Sequence, residues 1–381
     1  MDTRSTEVPL MEVGDENIVL FHPHVPASAK QSVNSVLDSR WLGQGPKVDQ
    51  FEAKFSKHFC ESNVALAVGS GTDALHLAYL LAGIGPGDEV VVPVFTCTAT
   101  NIPLLYIGAK LKFVDVDPKT LNINVEHLRA VVTEKTKAIV VVHYAGYPCD
   151  MDEIKEIASG LGVPVIEDAA HAVGASYKGI PIGAVSEFTM FSFQAIKHIT
   201  TGDGGLITFK DASKTDLAKR LRWFGIDRTA KQLGIWENDI KEVGYKYQMT
   251  DLGASLGLAA LEEFESTLAI RRKLLRIYQE GLRGIPGLEI LSLETDDRVH
   301  AAWLSTVSVE NRRGLQSKLL ENGIESNQVH YRNDRYSIFR SRKEDLPHMN
   351  AIEEKYLCLP LHTKMNTEHV ERIIDVIRSG W

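Results

Sequence analysis

Lys197 stands in the stretch Phe191-Ser192-Phe193-Gln194-Ala195-Ile196-Lys197-His198-Ile199-Thr200-Thr201-Gly202-Asp203-Gly204-Gly205, between apolar residues and a glycine-rich run. Burial of a lysine disfavours its charged form and leaves a nucleophilic amine that can form an imine with a carbonyl compound. Ser192 and Gln194 set short polar groups beside it, suited to an anion. Read alone, the stretch equally suits a turn carrying an ordinary surface lysine. A second candidate is Glu167-Asp168-Ala169-Ala170-His171-Ala172. Open α/β sheets bind ligands at the carboxyl ends of their strands, and a carboxylate buried there needs a partner. A protonated ring nitrogen would serve, and His171 could face the same site. The bland alternative is an Asp that caps the next helix beside a packed histidine. Third, Gly69-Ser70-Gly71-Thr72-Asp73-Ala74-Leu75 lies between a strand and a helix, where free backbone N–H groups and the helix dipole favour a phosphate. It also fits a dinucleotide fingerprint, with Asp88-Glu89 downstream, or a tight turn with no ligand.

The elements that must position these residues follow from the pattern. Val64–Val68, Glu89–Pro93, Lys112–Asp117, Ala138–Val142 and Pro164–Asp168 read as short buried strands with helical segments between them, such as Met151–Leu161. That alternation predicts an α/β fold with a largely parallel sheet covered on both faces. Phe188–Phe193 and Gly205–Phe209 lie close enough in sequence to form a hairpin-like pair in the same sheet. After Asp251 the chain reads as helical to about Gly284. Strands near Leu288–Leu291 and Ala302–Val309 follow, and Thr367–Ile377 is the last helix. The expected organisation is a loose tail over 1–20, a large α/β domain over 21–255, a connecting helix over 256–285 and a small C-terminal α+β domain over 286–381.

Composition narrows the function class. The 381 residues carry 42 Lys and Arg against 50 Asp and Glu, a net charge of −8. That balance argues against a nucleic-acid or membrane-surface binder and leaves room for a local anion site. Cys60, Cys97, Cys149 and Cys358 lack metal-ligand or disulfide spacing, so no metal centre is expected. With no basic segment followed by an apolar stretch at the N-terminus and no long apolar run, the expectation is a cytoplasmic protein.

Taken in order, Gly-Ser-Gly-Thr after a strand, Glu-Asp-Ala-Ala-His, and Phe-Ser-Phe-x-x-x-Lys-x-x-x-x-Gly-x-Gly-Gly resemble the DegT/DnrJ/EryC1/StrS family of pyridoxal-phosphate-dependent nucleotide-sugar aminotransferases. The resemblance extends to Trp41–Pro46 with Phe51-Glu52, Gly83–Val90, Gly244–Asp251 and Leu359-Pro360-Leu361-His362. It implies the aspartate-aminotransferase-like fold and pyridoxal 5'-phosphate as cofactor. Lys197 is then the Schiff-base lysine and proton carrier, and Asp168 the partner of the pyridinium nitrogen, which keeps the ring an electron sink. His171 falls near the ring hydroxyl, and Gly71, Thr72, Ser192 and Gln194 fall near the phosphate. Lys246 occupies the position from which the family reaches the phosphate of the neighbouring subunit's cofactor, which implies a homodimer with shared active sites.

The resemblance further implies L-glutamate as amino donor, leaving as 2-oxoglutarate, and a nucleotide-linked keto sugar as acceptor. A 4-keto-6-deoxyhexose is the leading class, used by a ping-pong mechanism in lipopolysaccharide or other surface-glycan synthesis. Candidate diphosphate contacts are Arg228, His330, Tyr331 and Arg332, each equally at home in a solvated loop. The sequence departs from the family at Cys97, where an aromatic residue often covers the cofactor ring. A histidine in place of the lysine marks deoxygenating relatives; here Lys197 is present and His198 merely follows it. The alternatives are a nicotinamide-dependent oxidoreductase using Gly69–Ala74, which gives Lys197 no role, and a non-catalytic regulatory relative.

Overall fold

The computed structural model describes residues 16–237, 239–339 and 345–381. Seven strands form the main sheet: β1 (Val64–Val68), β2 (Glu89–Pro93), β3 (Lys110–Val114), β4 (Thr136–Val142), β5 (Val165–Asp168), β6 (Phe188–Ser192) and β7 (Gly205–Phe209). Their order is β1-β7-β6-β5-β4-β2-β3. The pairs from β6 to β3 are parallel, and β7 runs antiparallel to both β6 and β1. The anticipated hairpin-like pair is thus the β6–β7 contact, in register from Ser192 opposite Gly205 to Phe188 opposite Phe209.

These strands are apolar on both faces because both faces are covered. Val90 and Val92 enter one core while Val91 enters the other, and Ala138 and Val140 divide from Ile139 and Val141 in the same way. The first core takes Ala74, Leu75 and Ala78 from the helix Gly71–Leu81. The second takes Phe51 and Phe55 from Pro46–Phe59, and Ile154 from Met151–Leu161.

The expected connecting helix is two helices, Asp251–Glu262 and Phe264–Gly281, separated at Glu263, whose backbone leaves the helical region. The second gives Phe264 and Leu268 to the main-sheet core and Leu274, Leu275 and Tyr278 to a third core. That third core covers a small antiparallel sheet of β8 (Leu288–Ile290), β9 (Ser305–Val309) and β10 (Tyr356–Leu359), with β9 central. β9 starts later than the expected Ala302 because Ala302 is left-handed (φ 55°) and turns the chain towards the main sheet. The expected loose tail is corrected at its end. Ile18, Val19 and Leu20 are buried, and Ile18 bridges to Ile324; residues 1–15 lie outside the described residues. Among the described residues no helix is long and apolar enough to cross a membrane.

One buried carboxylate fixes the loop that opens the chain onto the sheet. Asp251, 1% exposed, accepts the backbone N–H groups of Gly45 (2.8 Å), Lys47 (3.1 Å) and Val48 (3.1 Å) at the start of Pro46–Phe59. Removing it leaves three N–H donors without their acceptor, one of them buried and two partly buried, so Asp251→Ala is expected to cost about 1–3 kcal/mol. A thermal melt of the variant checks this; an unchanged melting temperature would show that water replaces the carboxylate.

Candidate active site

β5 and β6 are parallel neighbours, with Asp168 opposite Met190, so their carboxyl ends open on the same side of the sheet. Asp168 is the last residue of β5, and the chain leaving β6 makes the loop that carries Lys197. That loop is closed by backbone bonds: Phe193 N–H to the Gly204 carbonyl (2.8 Å), Thr201 N–H to Phe193 (2.9 Å) and Lys197 N–H to Gln194 (2.9 Å). Gly205 then lets β7 lie directly against the turn before Gly71–Leu81. A side chain there would collide with the Ser70 carbonyl and the Gly71 nitrogen. Three separate motifs are brought together by these short connections.

They surround a cavity of about 450 Å³. Of the residues expected from sequence, Gly71, Thr72, Cys97, Asp168, His171, Ser192, Gln194, Lys197 and His330 line it. The helix Gly71–Leu81 points its N-terminus into one end, with Ser70 capping it by accepting Asp73 N–H (3.1 Å). Gly71 packs so closely on Ser192 and Met190 that a Cβ would lie 3.1–3.3 Å from them. Cys97 stands at the N-terminal end of Thr98–Ile107.

Asp168 is buried, with one oxygen accepting Thr100 Oγ1–H (2.7 Å) and the other the Ala170 N–H (3.0 Å). Burial raises its carboxyl, against the pull of those two bonds and of Lys197. Burial likewise pushes the Lys197 amine down to about 7, while Cys97 and Asp168 draw it up and Arg271 adds to the lowering. His171 is held neutral by burial, and its Nδ1 is buried without a hydrogen-bond partner.

Other expectations fall elsewhere. Lys246 is away from the cavity of its own chain, with Nζ 3.7 Å from the Trp223 ring centroid on an exposed face. Arg228 donates to Gln44 Oε1 (2.8 Å) and lines a separate cavity beside Trp41 and Trp223. The expectation for Arg332 is corrected: its guanidinium is buried, gripping both oxygens of Asp334 (2.7 and 2.6 Å) and Asn350 (2.6 Å), so its charge is committed inside the fold. Tyr331 pairs with Thr96 in a two-residue bridge and lies outside the cavity lining, but that bridge carries its neighbour His330 in. Sequence reasoning missed Thr100, which bonds Asp168, and Trp303, whose ring lies 3.6 Å from Lys197 Nζ. Thr100 lies within the Phe95–Thr100 stretch already of interest. Trp303 carries no motif and comes from the far side of the chain.

A match to the DegT/DnrJ/EryC1/StrS aminotransferase family spans residues 24–378. The chain belongs to that family. It is 36% identical to the spore coat polysaccharide biosynthesis protein SpsC of Bacillus subtilis, across 91% of this chain and 93% of that one. The structure of AtS13 from Actinomadura melliaura superposes with a TM-score of 0.91 at 37% identity, across 97% of this chain and all of that one. Spr1654 of Streptococcus pneumoniae, whose structures include a PLP form, follows at 0.88 and 30% identity, across 95% and 98%. Membership sets aside the oxidoreductase use of Gly69–Ala74. The cavity fits the family's cofactor: helix N–H groups and the Ser192 hydroxyl suit a phosphate, a buried carboxylate suits a ring cation, and the unpartnered His171 Nδ1 has hydrogen-bonding capacity to spare.

The amine's position has a pH signature. An amine whose pKa is about 7 is half neutral there and fully neutral above. In cofactor-free protein, attachment of an aldehyde to Lys197 is therefore expected to speed up as pH rises through about 7 and then level off. Stopped-flow absorbance measures this; a rate still climbing towards the ordinary lysine range would contradict the desolvated site.

Proposed function

We propose that this sugar aminotransferase moves the amino group of L-glutamate onto a nucleotide-linked keto sugar of the 4-keto-6-deoxyhexose class, in two half-reactions that share one pocket. The cofactor is pyridoxal 5'-phosphate. When bound, it would supply a protonated ring able to accept electron density from the substrate carbon. The observation that carries the proposal is a desolvated lysine amine and a buried carboxylate facing one cavity beside a helix N-terminus.

Each residue has a defined task in this reading. Lys197 would hold the cofactor through Nζ, and its amine, when free, would take and return a proton at Nζ. Asp168, kept in place by Thr100 and Ala170, holds the proton on the ring nitrogen. Once a cation sits beside it, its raised pKa falls again, because the charged form then gains a partner. The N–H groups at Gly71 and Thr72, with Ser192 and Gln194, hold the phosphate. Cys97 offers a small, polarisable sulfur to the ring face. His171 orients the ring from its unpartnered side.

Two copies complete the pocket in this reading. Leu233 (77% exposed), Trp236 (78%) and Val243 (80%) put exposed apolar surface in the stretch of chain that precedes the outward-facing Lys246. Such a surface favours a protein partner, and a second copy would bring Lys246 to the neighbour's phosphate. The name of SpsC supports a role in polysaccharide amino-sugar supply.

Purified protein is expected to show a near-visible absorbance band that shifts on adding glutamate, and Lys197→Ala protein to lose both the shift and turnover. A panel of nucleotide-linked 4-keto sugars incubated with glutamate and read by mass spectrometry should yield one or more amino sugars. Turnover undiminished in Lys197→Ala protein would remove that residue from the mechanism, and no product from any sugar would overturn the substrate class.

A further inference from the structure

Trp303 is 1% exposed and belongs to the segment entering β9, about a hundred residues beyond the Lys197 loop. Its ring centroid lies 3.6 Å from Lys197 Nζ, close enough for a strong cation–π contact. Its indole N–H donates to the carbonyl of Ile196 (3.1 Å), the residue next to the lysine. His171 stacks on the indole at 3.7 Å between centroids and 14° between planes, and His330 lies parallel to His171 within 3°. Trp303 therefore touches the lysine, the lysine's own backbone and the neutral histidines of the cavity.

The surrounding backbone is built to hold that ring. Ala302 and Ala145 are both left-handed (φ 55° and 58°), a region that non-glycine residues rarely occupy and that clusters at functional sites. Ala145 accepts the N–H groups of Trp303 (3.0 Å) and Leu304 (3.3 Å), and His300 Nδ1 accepts the N–H of Ala302 (2.8 Å). Arg271, buried in Phe264–Gly281, donates to the carbonyls of Leu361 (2.9 Å), Ala302 and Trp303 (3.5 Å each). A costly backbone conformation and a buried guanidinium thus converge on the placement of one indole.

The geometry points to Trp303 as a positioning residue for Lys197: its face is the resting place of the amine whenever that amine is not bonded to the cofactor, and it favours the ammonium form. This deepens the reading of Lys197 given above and rests on it. In each half-reaction the neutral amine gains a proton and becomes ammonium, then returns the proton and becomes neutral again. A π face beside Nζ stabilises the charged member of that pair without a competing counter-ion. The other groups around the amine act in both directions. Asp168 on β5 and Cys97 at the start of Thr98–Ile107 favour the ammonium, and Arg271 on Phe264–Gly281 opposes it. His171, His198 and His330 stay neutral, because burial holds all three below the ordinary histidine range.

The test uses cofactor-free full-length protein and follows the rate at which added pyridoxal phosphate becomes trappable by borohydride, as a function of pH. Trp303→Leu is expected to lower the midpoint of that profile by about half to one pH unit, while Trp303→Phe, which keeps an aromatic face, retains most of the wild-type midpoint. Protein made with 5-fluorotryptophan provides a fold-preserving arm, because fluorine weakens the ring's attraction for a cation without removing the ring; its midpoint is expected to fall between the two. A midpoint unchanged or raised in both the Leu variant and the fluorinated protein overturns the proposal. Peptide mapping of the trapped adduct separates this from the premise: an adduct on a residue other than Lys197 would overturn the assignment of the lysine itself.

Discussion

Withdrawal of an amine and a carboxylate from water at the ends of two adjacent parallel strands sets the terms for the rest of this structure. Neither group is comfortable there in its charged form, and burial moves the two titrations towards each other, lowering Lys197 and raising Asp168. A cationic ring nitrogen beside Asp168 would give that carboxylate the partner that burial makes it need. Everything nearby serves that arrangement. Thr100 and Ala170 fix the carboxylate, the glycine at 205 lets β7 close on the N-terminus of Gly71–Leu81, and Trp303 lies against the amine.

Much of this was legible in the sequence because the chemistry sits where short motifs meet strand ends. Glu89–Pro93 and Val64–Val68 are found where the apolar runs put them, and the glycine-rich loop after Lys197 marked that lysine as a candidate while leaving an ordinary turn lysine open. Local signals of this kind depend on neighbours in the chain, and a reader can see them.

What stayed hidden depends on contacts between distant segments. Trp303 is ordinary in its own neighbourhood and acquires meaning only when the left-handed turn at Ala302 swings it towards the main sheet. Arg332 looked like a free cation in a polar stretch. Its partner Asp334 was in plain sight two residues on, but only the fold shows both buried together with Asn350 closing the site. Ile18, Val19 and Leu20 follow a polar stretch and resembled its continuation, until the bridge to Ile324 gave them a place. In each case the missing information was burial, which a linear reading infers poorly for polar or isolated residues.

The helix Phe264–Gly281 belongs to two cores at once, and Arg271 leaves its middle to hold the Trp303 turn. The small sheet and the main sheet are therefore tied together through one shared helix. Loosening of the C-terminal helix Thr367–Arg378, whose Ile374 packs in the same core as Leu274 and Tyr278, would pass along this shared helix to the lysine's surroundings. On the role proposed for Lys197, proton handling at its amine depends in this sense on packing contacts far from the cavity.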